Sequence, residues 1–135
     1  MTECIFCNIV AEKIPAWKIY ETEEILAFLD IFPVQEGHTL VIPKKHYEQF
    51  LDTPQYLFLE LADAVKKIVP AIQKVFFFDA FTLTQNNGSA ARQTVAHAHW
   101  HIIPRREDDG LQMWPQGTLK DGKEISQKIR NELQK

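Results

Sequence analysis

Residues 93–105 read QTVAHAHWHIIPR, and their alternation decides the fold class. In an extended chain successive side chains point to opposite faces, so His97, His99 and His101 line one side at intervals of about 6.6 Å. Ala98, Trp100 and Ile102 turn to the other side and pack. The pattern predicts a strand over residues 95–103. Three of the five histidines of the chain share this face, a poor match to a merely solvated surface. Taken alone, they leave an all-histidine metal site open beside a catalytic one.

Upstream, Phe81–Thr84 reads as a strand, followed by a turn at Asn86, Asn87 and Gly88. A helix is expected to start near Asp52, Thr53 and Pro54. Leu57, Leu61, Ala64, Val65 and Ile68 then recur at helical spacing and face the core. Pro70 has no amide donor and is expected to kink or split that helix. His38–Ile42, between Gly37 and Pro43, predicts a strand, as do Trp17–Tyr20 and Glu24–Leu29. Residues 4–12 suit a short helix with Ile5, Phe6 and Ile9 on one side, broken by Pro15. Beyond turns at Gly110 and Gly117, Ile125, Ile129 and Leu133 suggest a last amphipathic helix. Strands and helices without regular βαβ alternation indicate an α+β protein.

The chain has 135 residues, the length of one ordinary domain spanning 1–135. Apolar residues at 45% and charged residues at 24% argue against disorder. A net charge of -3 argues against broad electrostatic binding to a nucleic acid or an anionic membrane. Apolar runs such as Val75–Phe78 are far too short to span a bilayer, and MTECIFCN has no signal-peptide pattern. A soluble, cytoplasmic protein is expected, without nucleic-acid or membrane partners.

Cys4 and Cys7 are the only cysteines, spaced Cys-x-x-Cys. A structural disulfide is uncommon in the cytosol, and a thioredoxin-like motif would follow a strand that residues 1–7 cannot provide. A metal site needs two further ligands, because structural zinc is usually four-coordinate. Plain core packing of both cysteines stays open as well.

HAHWHII resembles the His-x-His-x-His-x-x pattern of the histidine triad (HIT) family of nucleotide hydrolases and transferases. CIFCNIVAEKIPAWKIYETEEILAFLDI, GHTLVIPKKH and NNGSAARQTV are similar to its amino-terminal half, central strand and approach to the triad. The likeness covers roughly residues 4–115, is greatest to the Hint-like branch, and leaves 118–135 as a carboxy-terminal extension, expected to be helical. It implies a five-stranded antiparallel sheet with a long helix and short terminal helices, paired as a homodimer.

The resemblance also implies roles. His99 would attack the α-phosphorus of a purine nucleotide, leaving a covalent nucleotidyl-histidine for water to cleave. A carbonyl bonded to its other nitrogen would set the tautomer. His101 would contact the phosphate, Thr94 would help protonate the leaving group, and His38 would support the triad from behind. Asp30 would bind ribose, Asn86 and Gln93 would lie around phosphate and ribose, and Ile5, Phe6, Ile9, Phe28, Leu29 and Ile31 would hold the base. For these apolar six, core packing is the competing account. His46 and His97 would complete a structural zinc site with Cys4 and Cys7, with no catalytic metal required. Trp114 and Pro115 resemble a segment that approaches a neighbouring subunit's site.

The activity implied is a purine nucleoside phosphoramidase releasing AMP from substrates such as an AMP phosphoramidate. Two alternatives stand beside it. One is a dinucleoside polyphosphate hydrolase of the Fhit type, with Arg105 and Arg106 on the polyphosphate. The other is a nucleotide-binding scaffold whose activity is incidental.

Overall fold

The computed structural model describes residues 3–112 and 114–135. Its elements run α1 (Ile5–Val10), β1 (Lys18–Glu21), β2 (Ile25–Leu29), β3 (Thr39–Pro43), α2 (Gln55–Phe76), β4 (Ala80–Thr84), β5 (Trp100–Arg105) and α3 (Gly122–Leu133). The strands form one antiparallel sheet in the order β1-β2-β3-β5-β4. This is the α+β arrangement expected, with α2 as the long helix.

Alternation along the central strands builds two separate apolar layers. Ile25, Ala27, Val41 and Ile102 pack on one face against Leu57, Leu61, Ala64, Val65, Ile68, Val69 and Ile72 of α2. Leu26, Phe28, Leu40 and Ile42 face the opposite way and pack with Phe6 and Ile9 of α1. A strand that feeds both layers must be apolar throughout, which is why ILAFL and TLVIP lack polar interruptions apart from Thr39. The sheet face under short α1 is only partly covered, and the histidines open onto it.

Three expectations are corrected. α2 is continuous through Pro70, so the proline does not split it. Its ring lies on the exposed side, where water can replace the lost amide bond. The capping candidates Asp52 and Thr53 do not cap α2, whose N-cap position is Pro54; the Thr53 hydroxyl donates to the Gln49 carbonyl instead.

The third correction concerns the histidine strand, which begins at Trp100 rather than Val95. Pairing with β3 ends at Val41↔Trp100. Beyond it Pro43 has no N–H to offer, and its carbonyl accepts a bond from the His97 ring at 2.8 Å. The Ala98 N–H turns aside to the Tyr47 carbonyl, 2.7 Å away. His97 and His99 therefore stand on an irregular run leading into β5, and only His101 is in the strand.

Gly37 sets the entry to β3. Its φ of +85° is in the left-handed region, and a Cβ there would lie 3.0 Å from Ile72 and 3.2 Å from Phe76 and Pro104. Both the conformation and the packing call for glycine, and the close approach delivers His38 to the start of the strand.

Candidate active site

Three imidazoles, those of His38, His99 and His101, and the Asp30 carboxylate meet on the sheet face below α1. The His99 Nδ1 lies 2.7 Å from the His97 carbonyl. A carbonyl only accepts, so Nδ1 carries the proton and Nε2 keeps its lone pair. Burial pushes His99 below the ordinary imidazole range, which keeps the ring neutral near pH 7. Phe6 meets the ring edge-on, with centroids 5.1 Å apart.

The second tautomer follows from a chain of bonds. The Val34 N–H donates to His38 Nδ1 at 3.2 Å, so the proton of His38 is on Nε2. That Nε2–H donates to His101 Nδ1 at 2.9 Å and faces Asp30 Oδ2 at 3.5 Å. His101 accepts at Nδ1 and therefore carries its own proton on Nε2. Burial, with His99 and His38 alongside, pushes His101 down to about 4, and burial lowers His38 as well. Two neighbouring rings, with centroids 5.0 Å apart, thus hold opposite tautomers: His99 offers a lone pair and His101 a proton.

Beside them lies a cleft of about 300 Å³. Ile5, Phe6, Ile9, Phe28, Leu29 and Ile31 line it, and Asp30, Thr94, His99 and His101 form its polar end. Asp30 is held by the Phe32 N–H, which donates to Oδ1 at 2.8 Å. Ile14, Pro15, Ala16, Phe32, Leu40 and Val95 line the cleft too and went unassigned from sequence. Leu40 reaches the cleft because it pairs directly with His101, a register that no local sequence signal reports. Ile14–Ala16 were hidden because a proline after a helix reads first as a stop.

Two residues lie elsewhere. Gln93 clamps its own loop, accepting from the Gly88 N–H and donating to the carbonyls of Glu48 and Val95. Asn86 lies beyond β5, in a separate hollow shared with Thr84, Trp114 and Pro115 of the same chain. The two arginines after the triad are engaged. Arg105 makes a two-pronged bond to Asp109, at 2.6 and 3.0 Å, and holds that carboxyl well below its usual range. Arg106 donates to the Phe76 carbonyl and stacks 4.0 Å over Phe78.

A second cluster joins Cys4, Cys7, His46 and His97, whose ligand atoms all lie within 4.8 Å of one another. His97 gives its Nε2–H to Pro43, so its Nδ1 lone pair faces the sulfurs. That nitrogen is 3.4 Å from Cys4 Sγ, 3.6 Å from Cys7 Sγ and 3.2 Å from His46 Nδ1; His46 Nδ1 is 3.3 Å from Cys7 Sγ. A tetrahedral zinc ion with ordinary bond lengths would set neighbouring N and S atoms about 3.5 Å apart and two N atoms about 3.3 Å apart. The cluster has those dimensions, and the four residues can hold a metal ion. The cysteines are not joined by a disulfide. Burial, with the Cys4 sulfur beside it, pushes the Cys7 thiol up to about 11, so a Cys7 thiolate forms here with a cation that offsets its charge.

The model of the HIT domain family matches residues 11–108. The chain belongs to the HIT family. Among HIT relatives, the adenosine 5′-monophosphoramidase HNT1 of Saccharomyces cerevisiae is 40% identical over 114 residues, covering 83% of this chain and 70% of that protein. The adenylylsulfatase HINT3 of Arabidopsis thaliana is 40% identical over 130 residues, 94% of this chain and 66% of that one. The crystal structure of SMU.412c from Streptococcus mutans superposes with a TM-score of 0.91 at 39% identity, covering 99% of this chain and 85% of the other. As a HIT protein the chain is a nucleotide hydrolase by family. No helix among the described residues is long and apolar enough to cross a membrane.

Proposed function

We propose that this HIT protein is a purine nucleoside phosphoramidase that releases AMP through a nucleotidyl-histidine intermediate. One observation carries the reading: the bond from His99 Nδ1 to the His97 carbonyl, which leaves an unprotonated Nε2 at the polar end of an apolar cleft. The yeast relative that bears the monophosphoramidase name supports the substrate class.

In this reading the base lies between Ile5, Phe6, Ile9, Phe28, Leu29 and Ile31, and Asp30 accepts from the ribose hydroxyls. His99 Nε2 attacks the α-phosphorus. The positive charge that develops on its ring is shared with the His97 carbonyl through the Nδ1 proton. His101, its tautomer set by His38, directs its Nε2–H at a phosphoryl oxygen, and Thr94 hands a proton to the departing amine. Water then cleaves the P–N bond. No metal enters these steps.

Cys4, Cys7, His46 and His97 hold zinc in the same reading, a closed structural site that ties α1 to the segment before β5. A cytoplasmic location keeps both cysteines reduced and available to it. The functional unit is a homodimer. Exposed Leu51, Tyr56 and Leu59 beside the stacked Phe50 and Phe58, together with edge strand β4, supply an apolar face suited to a second copy.

Chromatography of AMP released from adenosine 5′-phosphoramidate, without added divalent metal, tests the proposal. Wild type releases AMP and His99→Ala does not. A well-folded wild type that released none would overturn it.

A further inference from the structure

Of the polar groups at the end of the cleft, Asp30 is held by the Phe32 N–H, His99 by the His97 carbonyl and His101 by His38. Thr94 is different. It is exposed, it stands on no helix or strand, and among the described residues its hydroxyl has no hydrogen-bond partner. A proton donor must nevertheless sit within hydrogen-bond reach of the departing atom. The place of this hydroxyl is therefore set by the main chain on either side of it.

One side chain, Gln93, holds that main chain. Its Nε2 donates to the Val95 carbonyl at 3.0 Å and to the Glu48 carbonyl at 2.6 Å, and its Oε1 accepts from the Gly88 N–H at 2.8 Å. Carbonyls only accept and an N–H only donates, so the three bonds use both amide hydrogens and the oxygen and fix the orientation of the amide. The Gln93 N–H returns to the Gly88 carbonyl at 3.1 Å, a reversal made through the left-handed Arg92. Thr94 is thus bracketed: the residue before it is locked to Gly88, and the carbonyl after it to the Gln93 amide. The strip that receives the third bond is itself anchored. The Phe50 N–H donates to Asn87 Oδ1 at 2.8 Å, and the Tyr47 carbonyl accepts from the Ala98 N–H at 2.7 Å. A glutamate of the same length would bring no donor and a lysine no acceptor.

We propose that Gln93 is a positioning residue for the leaving-group acid: it touches no substrate, and it sets the Thr94 hydroxyl toward the departing nitrogen. The proposal rests on the phosphoramidase reading. His99 Nε2 bonds to phosphorus as the bond from phosphorus to the amine breaks, and the Thr94 proton moves to that nitrogen, which leaves as ammonia. Water then gives its oxygen to phosphorus, a water proton returns to Thr94, and the electron pair of the phosphorus–histidine bond returns to Nε2. A leaving group that needs no proton makes no use of Thr94, and hence none of Gln93.

The test measures kcat and KM on adenosine 5′-phosphoramidate and adenosine 5′-phosphorofluoridate for wild type, Gln93→Glu, Gln93→Met, Thr94→Ala and the double variant Gln93→Glu with Thr94→Ala. The two substrates differ at one small group, and fluoride departs as an anion without a proton. Glutamate keeps the acceptor for Gly88 and loses both donors; methionine keeps the length and loses all three bonds. On the phosphoramidate kcat falls about tenfold or more in both Gln93 variants, with KM within about twofold. On the phosphorofluoridate kcat changes by less than about threefold. The double variant loses no more than Thr94→Ala alone, the non-additivity of one side chain acting through another. Both rates are read on one sample, so partial unfolding cancels from their ratio. An unchanged ratio, whether both rates fall together or neither falls, overturns the proposal, and so does a rise in KM alone. Wild type active on the phosphoramidate with Thr94→Ala unimpaired also overturns it and leaves the phosphoramidase standing; wild type inactive on the phosphoramidate removes both.

Discussion

His97 and His99 lie two residues apart on the same irregular run, and the structure gives them opposite chemistry. His97 donates from Nε2 to Pro43 and turns Nδ1 toward two sulfurs and a second imidazole. His99 donates from Nδ1 to the carbonyl of His97 and turns Nε2 into the cleft. Both rings are buried and both are pushed below the ordinary imidazole value. Burial therefore does not separate the proposed ligand from the proposed nucleophile. The choice of nitrogen that meets a backbone carbonyl does, and a main-chain bend two residues long makes that choice.

The sharpest way to break the comparison is to remove each ring in turn. His99→Ala should abolish AMP release, a loss of about a thousandfold or more, with the circular dichroism and melting temperature retained. His97→Ala should act first on folding. If turnover per folded molecule fell equally in both variants, the division of labour would be wrong.

His38 tests the next layer. It touches no substrate in this reading and acts through His101, as a positioning residue. His38→Gln retains a buried hydrogen-bonding group but releases the His101 tautomer, so kcat should fall about ten- to a hundredfold while KM changes little. A change in KM alone would place His38 in binding rather than in setting a proton.

The metal cluster predicts the reverse profile. Chelation, or Cys7→Ser, should lower the melting temperature by several degrees or more, because the ligand atoms join α1 to the segment before β5. Turnover per folded molecule should stay within a few-fold. Elemental analysis should find about one zinc per chain in wild type and little in the variant. Metal loss that left the fold intact yet stopped turnover would make the site catalytic.

Much of this is legible in the sequence. The alternation in HAHWH put three rings on one side, and the helical spacing of Leu57, Leu61, Ala64, Val65 and Ile68 marked the buried face of α2. Other features depend on partners far along the chain. The start of β5 is set by the Pro43 carbonyl, 54 residues before His97, and no local propensity reports that. The His101 tautomer depends on the Val34 N–H, delivered by a loop whose path Gly37 determines. The resemblance implied a place for Asn86 around phosphate and ribose, and the structure puts it in a hollow with Thr84 and Trp114 rather than among the residues lining the cleft. Composition near the site was readable; the side of a strand on which a turn residue ends was not.

The smallest expected effect concerns acid stability. His101 is held at about 4 in the folded protein by burial and its imidazole neighbours, against about 6.5 unfolded. Asp30, facing the group, opposes the shift only in part. Below pH 6.5 the unfolded chain binds a proton that the folded one refuses, so stability falls with pH. The contribution is whole above 6.5 and is lost as the pH drops through 4. Between pH 6.5 and 5.5 the urea midpoint should decrease by about half a molar from this residue. His101→Gln should remove that increment and flatten the slope, while the contribution of His97, shielded when a cation holds its Nδ1, should emerge only after chelation. An equal slope in wild type and His101→Gln, both metal-loaded, would mean that the ring is not kept neutral by its surroundings, and the opposed tautomers of His99 and His101 would lose their physical basis.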